Sequence, residues 1–188
     1  MPAPSKTSVD AIVDAGRHIL EADGLDGLTL QAVAEAVGVR APSLYKRIDG
    51  RGDLVRRISN EVAAELGATL EDAARTGDPH ADLIAMAHAV RTFAHQHPRG
   101  YALLFAPLPE GWRVDPTLNA QLSATILRAA GEVAPRADAL KAARTVVAWL
   151  NGFVSMEQAA AFRLSGDLDE AFDYGIDRIL AGLEQQSD

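Results

Sequence analysis

The chain has 188 residues, 48% of them hydrophobic, and a formal net charge of −8. That is enough apolar material to bury a sizeable core, as one domain or as a small domain fused to a larger one. With no cysteine, disulfides, thiolate zinc sites and cysteine nucleophiles are excluded, and no stretch approaches the length of a membrane span. The opening Met1-Pro-Ala-Pro-Ser-Lys lacks the apolar run of a secretory signal, so a soluble cytoplasmic protein is expected. Charge is unevenly placed. Residues 1–60 hold eight Lys/Arg and eight Asp/Glu, whereas residues 61–188 hold ten and eighteen. A neutral head can approach a polyanion that an acidic body repels, although the same imbalance also describes a merely solubilising surface.

In chain order, a first helix is expected from about Val9 to Ala22, after an arm that runs through Lys6. Thr7-Ser8 supply its cap, Asp10 suits the positive helix start, and Gly24 ends it. Val9, Ile12, Val13, Gly16, Ile19 and Leu20 form its buried stripe. Next, Leu30, Val33, Ala34 and Val37 recur at helical spacing behind Thr29 as N-cap. Gly38 sits where a helix leaves through a left-handed residue, and a second short helix can start at Ala41-Pro42. Leu44 and Ile48 are its apolar side, leaving Arg40, Ser43, Tyr45, Lys46 and Arg47 to point elsewhere. Two short helices joined by a glycine turn, the second rich in donors, make a helix-turn-helix. Between Arg40 and Arg57 six basic residues face only Asp49 and Asp53, which in an acidic protein points to a polyanion partner.

The stretch Gly38-Val-Arg-Ala-Pro-Ser-Leu-Tyr-Lys-Arg-Ile-Asp-Gly-Arg-Gly-Asp-Leu54 resembles the signature of the TetR/AcrR family of bacterial transcriptional regulators. The resemblance covers around fifty residues, with two departures. Ile48 stands where most members carry an aromatic residue, and Gly50-Arg51-Gly52 replaces a Ser/Thr-Lys-Glu-like cap, leaving Asp49 to cap the fourth helix. It implies an all-α protein: a three-helix head at residues 1–53, with the first helix packed across the helix-turn-helix, and an effector-binding, dimerising body at residues 54–188. It also implies a homodimer through the last two helices, most often a repressor, released from a palindromic double-stranded DNA operator by a small-molecule effector.

The rest of the chain is periodic in the helical sense, with no convincing strand alternation. A long fourth helix runs from Asp49 or Gly50 through Leu54, Val55, Ile58, Val62, Leu66 and Leu70. It suits a rod that transmits motion, and equally a plain packing helix. Helices follow at about Pro79–His97, Tyr101–Phe105 and Asp115–Val133, the last with Leu118, Leu122, Ile126 and Leu127 inward. The final pair is expected at about Ala137–Leu164, with Leu140, Ala143, Val147, Leu150 and Val154 inward, and at Leu168–Leu183. These two can pair across a two-fold axis or bury their stripes within one chain. Trp149-Leu-Asn-Gly152 is similar to the Trp-His-Gly motif of one class of TetR-like C-terminal domains, with Asn151 in place of the histidine and Gly152 kept for close packing.

Phosphate contacts are assigned to Thr29, Tyr45, Lys46 and Arg51, and base contacts to Arg40, Ala41 and Ser43. Charged and hydroxyl groups position a recognition helix, while side chains at its start reach base edges. A guanidinium can bond guanine bidentately, and Ala41 can touch a thymine methyl. Tyr45 can instead be buried, and Arg47 can be a solvated helix-end cation. In the body, Met86, Phe93, Tyr101, Phe105, Trp112, Trp149, Phe153 and Met156, with Phe162, are either the lining of an apolar effector pocket or ordinary core. His88, His95 and His97 lack the further ligand a metal site needs, so they read as solvated or hydrogen-bonded, and no cofactor is expected. An all-α enzyme lacks support in any Ser-His-Asp motif or phosphate-cradling glycine loop. A protein-interaction module using the helix-turn-helix as scaffold is the other alternative.

Overall fold

The computed structural model describes residues 8–134 and 138–184. The expected arm through Lys6, the capping Thr7 and the start at Ala137 lie outside them. Among the described residues every regular element is helical. Helix α1 spans Val9–Gly27, α2 Leu30–Val37, α3 Ala41–Leu44, α4 Gly50–Ala73, α5 Pro79–Gln96, α6 Pro98–Phe105, α7 Pro116–Val133, α8 Ala139–Gln158 and α9 Leu168–Glu184. A 3-10 turn at Glu110–Trp112 lies between α6 and α7.

The helices form two compact units, residues 1–64 with 97–119 and residues 65–96 with 120–188. The expected cut at 53/54 falls inside α4, because the first unit also takes in the next turns of α4, helix α6 and the 3-10 turn. In that unit the Ser8 hydroxyl caps α1 by accepting the Ala11 N–H at 3.1 Å. Ile12, Val13, Gly16 and Leu20 of α1 are buried with Val33, Ala34, Leu44, Leu54, Val55 and Ile58. Gly16 lets α4 approach closely, since a Cβ would lie 3.0 and 3.2 Å from the side-chain ends of Ile58 and Leu54. As expected, Gly24 ends the first stretch of α1, leaving helical geometry at φ 77 and ψ −174, and a further turn leads to Leu28. Glu21 fastens α6 to α1, its carboxylate accepting the backbone N–H groups of Arg99 and Gly100 at 3.1 and 2.8 Å. Those amides belong to the first turn of α6, where a helix has no internal acceptors for them. Helix α6 therefore starts at Pro98, ahead of the expected Tyr101.

In the second unit, α5 buries Leu83, Met86, Ala87, Val90, Phe93 and Ala94, and α9 buries Phe172, Ile176 and Leu180. The expected inner faces hold except at one leucine each. Helix α7 buries Thr125, Ala129 and Ala130 with Leu118, Leu122 and Ile126 half-buried while Leu127 is exposed, and α8 buries Ala142, Ala143, Val146, Leu150 and Val154 while Leu140 is 52% exposed. Small side chains bring these helices together: Ala130, Ala134, Ala142 and Ala143 form one cluster, sealed by Ile126 and Leu183. Helix α8 stops at Gln158, well short of Leu164. Ala160 takes φ 49, and the N–H groups of Ala160 and Ala161 return to the carbonyls of Glu157 and Met156. That is a left-handed helix terminus normally supplied by glycine.

The end of α8 is tied down by charge. The Glu157 side chain is only 5% exposed; it accepts from Nε of Arg91 at both oxygens, 3.1 and 3.0 Å, and from Nη2 of Arg91 at 2.6 Å, and contacts Nε2 of His95 at 3.2 Å. Arg91 also pairs with Asp169 at 2.8 Å and lies over the Phe172 ring at 4.7 Å. Burial alone would push the Glu157 carboxyl up, but the hydrogen bonds from Arg91 and His95 outweigh it and hold the carboxyl below the usual range. Its pKa is depressed on folding, so the stabilisation is present above the ordinary carboxylate range and disappears as pH falls through the lowered value. Glu157→Gln should therefore cost about 2 kcal/mol at neutral pH. In urea titrations the gap to the wild type should close as the pH is taken below the ordinary carboxylate range.

Candidate nucleic-acid interface

The residues between Thr29 and Asp53 are arranged by their helix ends. The Thr29 hydroxyl accepts the Ala32 N–H at 3.1 Å, capping α2. At the other end Gly38 adopts φ 73 and ψ 38, so the N–H groups of Gly38 and Val39 turn back to the carbonyls of Glu35 and Ala34 at 3.1 and 2.9 Å. Arg40 is extended and Pro42 lies in the first turn of α3, where its missing N–H costs nothing. Helix α3 is one turn long, continued by turns to Ile48. Leu44 and Ile48 are buried beneath it, so the opposite side must face outward.

That outward side carries Arg40, Tyr45, Lys46 and Arg47, all exposed, beside half-buried Ala41 and Ser43. Tyr45 is 63% exposed, which disposes of a buried tyrosine. Thr29, also exposed, opens α2. The six basic residues of the sequence divide. Asp53 pairs with Arg56 and Arg57 at 2.5 and 2.9 Å and accepts the Asp49 N–H at 3.0 Å, closing the start of α4. Burial pushes the Asp53 carboxyl up, and the Asp49 N–H with the two guanidinium groups more than reverses this. Arg40, Lys46 and Arg47 have no ion-pair partner among the described residues. Three cations are thus left on the α3 face.

Arg51 is employed differently from the expected phosphate contact. Its Nε and Nη2 donate to the carbonyls of Leu28 and Leu25 at 2.8 and 2.5 Å, and its guanidinium lies over Trp112 at 5.4 Å. Both carbonyls belong to the end of α1. The partners are 23 and 26 residues away in sequence, and no local pattern announces them.

The aromatic and methionine set also divides. Tyr101, Phe105 and Trp112 belong to the first unit, and Met86, Phe93, Trp149, Phe153 and Met156 to the second. Tyr101 is buried against Phe105, and burial pushes its hydroxyl up to about 12. Phe105 and Met156 are exposed, while Phe93 is core. Trp149, Phe153, Phe162 and Phe172 form one ring cluster with centroids 4.9–5.6 Å apart. A cavity of ≈ 10 Å³ does occur in the second unit, lined by Leu70, Leu83, Met86, Ala87, Val90, Ile126, Val146 and Leu150. Of the residues expected to line a pocket, Met86 alone touches it. Its aliphatic lining is indistinguishable from core in sequence. His88 and His95 go to different carboxylates, Asp173 at 3.0 Å and Glu157. Gly152 approaches nothing among the described residues, and the close packing expected there falls to Gly175, where a Cβ would overlap the Trp149 ring.

The capped α2, the left-handed glycine and the cationic α3 match a family model described as bacterial regulatory proteins, tetR family, over residues 12–58. A second model, the tetracyclin repressor-like C-terminal domain, matches residues 83–179. The chain belongs to the TetR family of DNA-binding transcriptional regulators. It is 31% identical to the uncharacterized HTH-type transcriptional regulator Rv0681 of Mycobacterium tuberculosis, over 98% of this chain and 85% of that one. It is 34% identical to the HTH-type transcriptional repressor DrrR1 of Streptomyces coeruleorubidus, over 52% of this chain and 35% of that one. The fold is shared with a TetR variant from Acinetobacter baumannii AYE, crystallised in complex with minocycline, at TM-score 0.71 and 23% identity, covering 96% and 98% of the chains.

For this TetR-family head, Gly38 is the most demanding position. A Cβ there would meet no other atom within 4 Å, so the penalty of Gly38→Ala is that of the left-handed backbone alone. Thermal unfolding should show a loss of about 1 kcal/mol, with the helix content at room temperature unchanged.

Proposed function

We propose that the protein is a homodimeric repressor that sets α3 of each subunit into successive major grooves of a palindromic operator. What carries this reading is the α3 face: Arg40, Tyr45, Lys46 and Arg47 exposed above buried Leu44 and Ile48. Arg40, Ala41 and Ser43 contact base edges, while Thr29, Tyr45 and Lys46 contact phosphates and fix register. Arg47 joins the phosphate set, and Arg51 supports the corner instead of reaching DNA. The repressor sign rests on the name of DrrR1.

Dimerisation uses α8 and α9, whose exposed Leu140, Met156 and Tyr174 offer apolar surface for a partner. An apolar effector binds the second unit and releases DNA by preferring the state in which the heads are misplaced. The minocycline complex of the Acinetobacter protein supports a small-molecule ligand in this architecture. Drug-sized ligands need pockets of several hundred Å³, and the ≈ 10 Å³ cavity in the second unit is about one water in size. An effector entering at this cavity opens the Met86–Val146–Leu150 packing. The protein works in the cytoplasm, beside its DNA, and has no catalytic role. Among the described residues no helix is long and apolar enough to cross a membrane.

Fluorescence anisotropy on a duplex selected from random sequence by the wild-type protein tests the reading, with random duplex alongside. Arg40→Ala should lose about 1–3 kcal/mol on the selected duplex and far less on the random one. Lys46→Ala should weaken both and lower the salt slope by about 1. Equal losses on both duplexes with Arg40→Ala would remove the base-reading assignment.

A further inference from the structure

The last carbonyls of α1 lack the full set of partners that a further turn would give. Two of them, at Leu25 (which also accepts the Leu28 N–H at 3.2 Å) and Leu28, accept from one side chain, Arg51 in the first turn of α4. Thr29, the cap of α2, follows directly. The guanidinium is in turn covered by the indole of Trp112. That indole can lie so low only because residue 52 is glycine: a Cβ there would overlap Nε1 of Trp112 and Cδ1 of Trp112.

The turn that carries the ring is closed by its own backbone. The backbone N–H of Trp112 donates to the Pro109 carbonyl at 2.9 Å, and that of Arg113 to the Glu110 carbonyl at 3.2 Å. Nε of Arg113 donates to the Leu108 carbonyl at 2.8 Å, and Leu108 is buried. Two helical turns beyond Gly52, the Asn60 side-chain carbonyl accepts the Asp115 N–H at 2.8 Å. The segment from Leu108 to Asp115 is therefore a brace seated on α4. A guanidinium roofed by an aromatic ring gains a cation–π contact and loses competing water, and both favour its hydrogen bonds to the α1 carbonyls.

We infer that Trp112 is a positioning residue for DNA binding: by roofing Arg51 it holds the α1–α2 corner, and with it Thr29 and the start of α2, in the DNA-competent arrangement. No residue of the 110–112 turn belongs to the set assigned to DNA. The inference rests on the α3 face being the DNA-contacting one, and its test separates the two.

Gly52→Ala is the sharpest variant, because it removes no hydrogen bond and puts a better helix former into α4 while displacing the ring. Amide exchange followed by NMR in the full-length protein reads the corner at Leu28, Thr29 and Ala32. Anisotropy on the selected duplex reads binding. Gly52→Ala and Trp112→Ala should each speed exchange at those amides about tenfold and weaken the duplex about tenfold, leaving exchange at Ile176 in the second unit unchanged. Trp112→Phe, which keeps a ring over Arg51, should recover most of what Trp112→Ala loses. Combining Trp112→Ala with Arg51→Ala should add little to either alone, as members of one contact do. Corner amides that keep their protection in Gly52→Ala and Trp112→Ala overturn the inference, whatever the DNA result. Faster corner exchange with unchanged affinity also overturns it, and Arg40→Ala on the same duplex then tells whether the α3 face reads DNA at all.

Discussion

A helix cannot satisfy its own first amides or last carbonyls, and the first unit is built from the ways in which these are met. Thr29 receives an amide of α2, Gly38 lets the end of α2 close on itself, and Glu21 receives two amides of α6. Arg51 donates to the last carbonyls of α1. Each solution also fixes a direction of the chain. The Thr29 cap sets how α2 leaves the corner, and the left-handed Gly38 sets how α3 leaves α2. The cationic face is a product of these terminations more than of α3 itself, which is one turn long.

The second unit uses charge and small side chains where the first uses caps. Ala130 and Ala134 meet Ala142 and Ala143 of α8 in one buried cluster. Arg91 then spans three helices, bonding Glu157 of α8 and Asp169 of α9 from α5 while covering Phe172. Removing one partner of such a pair leaves a charge in a poor place to be alone. Around that knot the unit is packed by the rings of Trp149, Phe153, Phe162 and Phe172 and tied again by the His88–Asp173 contact.

What the sequence made legible was local. Thr29, Gly38, Pro42 and the pairing of Leu44 with Ile48 each act within a few residues, and each does in the structure what its type and spacing implied. Long-range partnerships were not legible. Nothing near Arg51 marks it as a partner of α1, and nothing in the last turns of α8 marks Glu157 as a partner of an arginine 66 residues away. Helix α8 ends through an alanine in a conformation usually left to glycine, so the residue type gave no stop signal. On α7 and α8 the inner stripe was legible at Ile126, Ala143, Leu150 and Val154, but Leu127 and Leu140 fall outside it. Ala129, Ala130 and Ala142 are buried as well, and a search for large apolar residues at helical spacing passes over them.

Each unit lays one tryptophan on a helical glycine, Trp112 on Gly52 and Trp149 on Gly175. The sequence contains two tryptophans in all. Their surroundings are unlike, a guanidinium beside Trp112 and a cluster of phenylalanine rings around Trp149. The natural chain therefore carries a separate intrinsic optical probe in each unit, without any attached dye. Emission from one can follow the first unit while emission from the other follows the second, so the order in which the two respond to an added molecule is open to direct kinetic observation.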